Sequence, residues 1–234
     1  MMTRKSIIVI LSFFLTACAP AIKPELVKKV DGYYNTTTSK SYKTSKKFKK
    51  AIPYAVGQYV ITGTTDDKGR RSITKTSVVG RQSGGWILEI YSVTPSSEST
   101  TQMLIKGIDS VYQTGNLDNL DIIWVKMKSE DGSIQTIDGP ALQFTKALYR
   151  KALSGLELDL TMLEDGGTIT VPAGLFKGTT KSTSTGSFLG MTFSADSWYH
   201  PDVPVNGVVK LVSKKDKMAM ELLKFGLSGA EKSF

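Results

Sequence analysis

Trp86-Ile87-Leu88-Glu89-Ile90-Tyr91-Ser92-Val93 carries apolar residues on both faces of an extended chain for much of its length. That pattern belongs to a strand covered on both sides, inside a sheet rather than at its edge. Working back, Ser83-Gly84-Gly85 is turn chemistry, and Arg71-Ser72-Ile73-Thr74-Lys75-Thr76-Ser77-Val78-Val79 is a second β-type run. Asp66-Asp67-Lys68-Gly69 turns the chain again, preceded by Gln58-Tyr59-Val60-Ile61-Thr62-Gly63. The three runs predict an antiparallel meander.

Working forward, Thr100 to Ile105 and Asp121 to Lys128 read as further strands, and Glu130-Asp131-Gly132-Ser133 as a tight turn into Ile134 to Ile137. Ala141 to Leu153 reads as one helix, with Pro140 in its first turn, Ser154-Gly155 at its end, and Ala141, Phe144, Leu148 and Ala152 on a stripe. Strands resume at Thr168–Val171, Leu175–Ser184, Ser187–Ala195, Gly207–Ser213 and Met218–Phe225. Residues 53–234 are therefore predicted as a mainly β (α+β) domain. Its expected form is a strongly bent antiparallel half-barrel of about nine or ten strands with one helix against it, and a concave apolar side.

The 234 residues are 40% hydrophobic and 22% charged, which excludes collagen-like, disulfide-stapled and polytopic membrane classes. One Cys and one His cannot make a Cys/His zinc site or an intramolecular disulfide. No dinucleotide or P-loop glycine pattern occurs, so neither a cofactor nor a metal is expected. Arg4 and Lys5 precede the apolar run Ile7 to Leu15, which is too short to span a bilayer and reads as a signal peptide over residues 1–17.

Leu15-Thr16-Ala17-Cys18 resembles the lipobox of bacterial lipoproteins, in which the Cys sulfur receives a diacylglyceryl group. By that resemblance Cys18 is the lipidation site and the membrane attachment, and Ala19 in place of Asp implies the outer membrane. The periplasmic side is expected over the surface, though no residue decides between them. Between residues 19 and 52 nine lysines face only Glu25 and Asp31, whereas residues 53–234 hold equal numbers of basic and acidic side chains. Residues 18–52 are thus predicted to be the lipidated Cys followed by a flexible Lys-rich tether, spanning about 30 Å r.m.s. as a coil. The neutral domain lacks the basic patch that nucleic acid requires, so no nucleic acid is expected as a partner.

A second resemblance covers roughly residues 54–226 and is most specific in its last third. It rests on Thr168-Ile169-Thr170-Val171-Pro172-Ala173-Gly174-Leu175-Phe176-Lys177, on Trp198-Tyr199-His200-Pro201-Asp202-Val203-Pro204-Val205-Asn206-Gly207-Val208-Val209-Lys210, and on Glu221-Leu222-Leu223-Lys224-Phe225-Gly226. These resemble a largely uncharacterised bacterial envelope lipoprotein family with a half-barrel like the LolA/LolB carriers of lipoproteins across the periplasm. Gly178 stands where many relatives have Cys, and Leu175 where Thr or Ser is usual. The resemblance implies a fold and carries no site residues.

His200, the only imidazole, has Asp196 and Asp202 nearby in sequence, but no nucleophile elbow accompanies it, and packing or hydrogen-bonding beside Trp198 is its expected role. Asp66-Asp67 and Glu164-Asp165 fall at expected turns. Soft and aromatic residues suited to an adaptable apolar groove are Trp86, Trp124, Phe188, Met191, Phe193, Met218 and Met220. The sequence thus points to a non-enzymatic, outer-membrane-anchored lipoprotein that binds a lipid or lipidated partner on its concave face. The alternative is a structural or accessory lipoprotein of a cell-envelope assembly.

Overall fold

A computed structural model describes residues 21–45, 47–48, 52–109, 119–154, 163–188, 191–213 and 215–234. The signal peptide and Cys18 lie outside the described residues. The protein is mainly β. The described elements run α1 (Pro24–Tyr34), β1 (Ser41–Lys43), β2 (Tyr59–Thr65), β3 (Arg71–Gln82), β4 (Gly85–Val93), β5 (Glu98–Lys106), β6 (Asp121–Lys128) and β7 (Ile134–Ile137). Then follow α2 (Gly139–Ser154), β8 (Glu164–Val171), β9 (Gly174–Phe188), β10 (Met191–Tyr199), β11 (Val208–Ser213) and β12 (Met218–Gly226).

All 12 strands belong to one sheet that does not close on itself, ordered β9-β10-β11-β12-β2-β3-β4-β5-β6-β7 with β8 and β1 both on β9. The count exceeds the nine or ten expected. β8 pairs along β9 from Gly174 to Lys181, so β10, at Thr180–Phe188, and β1, at Leu175–Lys177, must share the other edge of β9. The β1–β9 pairing is parallel, in contrast to the antiparallel ladders elsewhere. The expected meander is β2-β3-β4, and β4 pairs on both sides, with β3 and β5.

Period-2 alternation gives the sheet two faces. The inner face gathers Val60, Val78, Leu88, Met103 and Ile105 from its middle strands. Val171, Phe176 and Val209, from β8, β9 and β11, and Ala173 in the β8–β9 turn join the same cluster. Strands far apart in sheet order share one core only because the sheet curls, and the β8–β9 corner closes onto β12 through the Ala173 N–H bonded to the Leu222 carbonyl at 3.1 Å. The outer face carries a second core of Ile61, Ile73, Val93 and Leu223.

That second core overturns the tether expectation from Pro24 onward. α1 is a packed helix: Leu26 and Val30, four residues apart, are buried against the outer face, with Tyr33 and Tyr34 beside them. Gly63 permits this docking, because a Cβ there would collide with the Tyr34 ring. The helix start is tied down by the Lys23 N–H bonded to the Pro95 carbonyl at 2.8 Å. Further on, β1 adds to β9, and Phe48 is buried in a stack on Tyr199 at 4.9 Å between centroids. Lysines assigned to a free linker, among them Lys40, Lys43 and Lys47, therefore sit exposed on a folded surface.

Two helices are described, not one. α2 occupies the expected segment, but among its described side chains Leu142 is the buried one and Phe144, expected on the core stripe, is 66% exposed; the side chains of Leu148 and Ala152 lie outside the described residues. The β9–β10 hairpin reaches farther than expected, with β9 running to Phe188 rather than Ser184. Glu164 and Asp165 begin β8 instead of forming a turn.

Candidate functional site

The predicted groove residues divide between the two faces. Trp86 is opposite Ile105 on the inner face, buried, with its indole N–H donating to both Asp109 carboxylate oxygens at 3.0–3.1 Å. Tyr54 meets its ring edge-on and the Arg81 guanidinium lies 4.7 Å from it. It is a fixed core residue. Trp124 is opposite Leu104, on the outer face, packed against Val79, Ile87 and Leu104. The two tryptophans cannot line one groove. Met218 and Met220 alternate in phase with the buried Leu222, which places them on the inner face, half-buried. Phe188, Met191 and Phe193 pair within the β9–β10 hairpin, Met191 with Phe188 and Phe193 with Gly186, and their side chains lie outside the described residues.

The middle of the inner face is filled from within. Phe176, Val203, Val209 and Leu222 are completely buried, and Phe176 stacks on Tyr42 at 4.7 Å and contacts Phe225 at 6.1 Å. His200 lies at the edge of this packing with no exposed surface. Its ring meets Phe176 edge-on at 5.3 Å, and its Nδ1 accepts the Asp202 N–H at 3.3 Å. The expected packing role fits, although Phe176 rather than Trp198 is the neighbour. Burial lowers the His200 pKa, against opposing pulls from Asp202 and the Lys177 carbonyl.

Two open spaces lie on the outer face among the described residues. Two grooves flank α1: a cavity of about 760 Å³ toward the β2–β3 and β4–β5 turns, and one of about 530 Å³ over β2, β3 and β12. Between them Lys29 anchors the helix, its Nζ 2.7 Å from Glu98 Oε1, which also accepts the Tyr91 hydroxyl at 2.7 Å. The hydrogen bond to Lys29 holds Glu98 below the usual carboxylate range, and burial pushes the Tyr91 hydroxyl up to about 12.

No protein-family model matches the chain, and no curated protein matches it either. Among the described residues no three His, Cys, Asp or Glu groups are placed to hold a metal, and no helix is long and apolar enough to cross a membrane.

A further polar site escaped the sequence reading. Glu89 and Gln102, paired across β4 and β5 on the outer face, are buried, and the segment after β12 folds over them. Glu89 Oε2 accepts the Ser233 N–H at 2.9 Å, the Ser233 hydroxyl at 2.8 Å and the Gln102 amide at 2.7 Å. The visible signal was a carboxylate at an otherwise apolar central strand, which must find donors to be buried.

Proposed function

We propose that this protein is a non-enzymatic, lipid-anchored lipoprotein of the bacterial cell envelope, held through Cys18 at the periplasmic side of the outer membrane. It acts as an accessory component of an envelope assembly through its surfaces. The observation that carries this reading over lipid carriage is the packed middle of the inner face, where Phe176, Val209 and Leu222 occupy the space an acyl chain would need. The sealed setting of His200, under Phe176 and away from solvent, supports a role without catalysis.

Lipid binding is the second reading, favoured by the half-buried Met218 and Met220, which continue the inner face beyond Leu222. Crosslinking of the full-length protein in its native membranes tests the choice. A stoichiometric protein partner, with no lipid retained beyond the Cys18 acyl groups in native mass spectrometry, is the expected result. Co-purified lipid that is displaced when Met220→Lys is introduced would replace the accessory reading with carriage. Failure of palmitate labelling in the wild type, with Cys18→Ser as the blank, would remove the anchor from both.

A further inference from the structure

The two grooves beside α1 differ in charge balance. In the larger one, Arg70 pairs with Asp66 at 2.6 Å and Arg71 with Asp31 at 3.6 Å, so its cations are matched by carboxylates in its own wall. The smaller groove is lined by Lys29, Lys75 and Lys224, with Tyr33 and Tyr59, and by no carboxylate. Lys29 spends its charge on Glu98, whereas Lys75 lies 5.4 Å from the centre of the Tyr59 ring. Among the described residues neither Lys75 nor Lys224 forms an ion pair. Ammonium groups gathered in one concavity repel one another and raise its positive potential.

Gly32 supplies the second observation. It sits inside α1 and lines this groove, yet a Cβ there would meet nothing within 4 Å. The helix has room for alanine, which it would favour by about 0.5–1 kcal/mol. The fold does not require the glycine, and its effect is to leave the groove wall open to close approach.

We propose that this groove binds a phosphate monoester group, its two or more negative oxygens set between Lys75 and Lys224 with the tyrosines as walls. Lysine ammonium groups act on phosphate as point charges and do not need the planar fork that arginine offers carboxylates. A phosphomonoester near −1.5 to −2 matches two unpaired cations better than a single carboxylate does. The chemistry is shared by a lipid headgroup and a soluble phosphate ester, and the site is independent of the reading given above for the inner face.

The test uses the full-length protein in micelles of an uncharged detergent, titrated with inorganic phosphate, with glycerol phosphate, and with phosphatidic acid doped into the micelles against diacylglycerol as blank. Saturable binding is expected, weakened about tenfold or more in Lys75→Gln/Lys224→Gln and unchanged in Lys68→Gln, which removes a charge outside the groove. Gly32→Leu fills the groove, and it is expected to reduce binding while leaving thermal stability equal or higher. Binding of the soluble esters assigns the site to free phosphates; binding confined to phosphatidic acid assigns it to a headgroup. No saturation by any of the three probes, or equal affinity in the double variant and Lys68→Gln, overturns the proposal.

Discussion

His200 shows how one buried side chain sets a pH response. Its pKa in the folded protein is below the ordinary 6.5, chiefly because burial disfavours the imidazolium. The unfolded chain therefore binds the proton more readily, and stability falls as pH drops below 6.5 toward the folded value, while above 6.5 the contribution is complete. Denaturation midpoints followed downward from pH 7 should decline more steeply in the wild type than in His200→Gln, which lacks the titrating ring; identical slopes would show that other groups dominate. A second residue-level constraint is Gly178, with φ +77° and its α-carbon facing the Thr44 carbonyl. A side chain there must accept left-handed backbone and push the β1 segment away, so Gly178→Cys should cost about 1–3 kcal/mol. It should also open Lys43 and Lys47 to trypsin while the rest of the sheet stays resistant.

At the scale of elements, α1 is the piece whose docking reshapes the N-terminal half of the chain. Leu26 is 4% exposed, and Leu26→Ala removes a buried side chain at a cost of about 2–5 kcal/mol if the helix stays in place. Since α1 is held at one face only, the cheaper response is undocking. Hydrogen exchange should therefore accelerate in residues 24–34 with little change in β3 and β4, and uniform acceleration would mean α1 is integral to the global core. The spacing Leu26, Val27, Val30, Tyr33, Tyr34 is a helical stripe legible in the sequence, but the surrounding lysines made the segment read as solvated linker. β1 was not legible: Ser41-Tyr42-Lys43 has too little alternation, and its placement comes from the free edge of β9 and the Phe176 ring beneath Tyr42. The central strands were legible because Ile87, Leu88 and Val93 must be covered on both faces, which propensity and burial both demand. The groove candidates were less so, since composition marks Trp86 and Trp124 as equally suitable while only the register assigns them to opposite faces.

At the scale of the whole molecule, docking of α1 bears directly on the proposed lipid anchor. A coil of residues 18–52 would let it drift about 30 Å from its anchor, whereas the helix start leaves only the stretch from Cys18 to Lys23, at most about 17 Å when fully extended. The Lys23 backbone is bonded to Pro95, and its Nζ lies 2.7 Å from Glu130, so the β4–β5 and β6–β7 turns share the end that the proposed anchor would hold. The β3–β4 turn lies at the other end of β4, whose nine residues extend about 30 Å. A lipid on Cys18, as proposed, would then dictate orientation as well as attachment. Nitroxide labels introduced singly at Ser97→Cys and Gln82→Cys in membrane-bound protein should report this difference, with the label at 97 relaxed by a headgroup-level paramagnetic reagent and the label at 82 much less so. If Cys18 is acylated as proposed it takes no label and each signal is unambiguous, whereas labelling of the unsubstituted protein would expose a free thiol at once. Equal relaxation at the two positions would mean that α1 releases from the outer face at the membrane and that the chain from Cys18 to Phe48 works as a long leash after all.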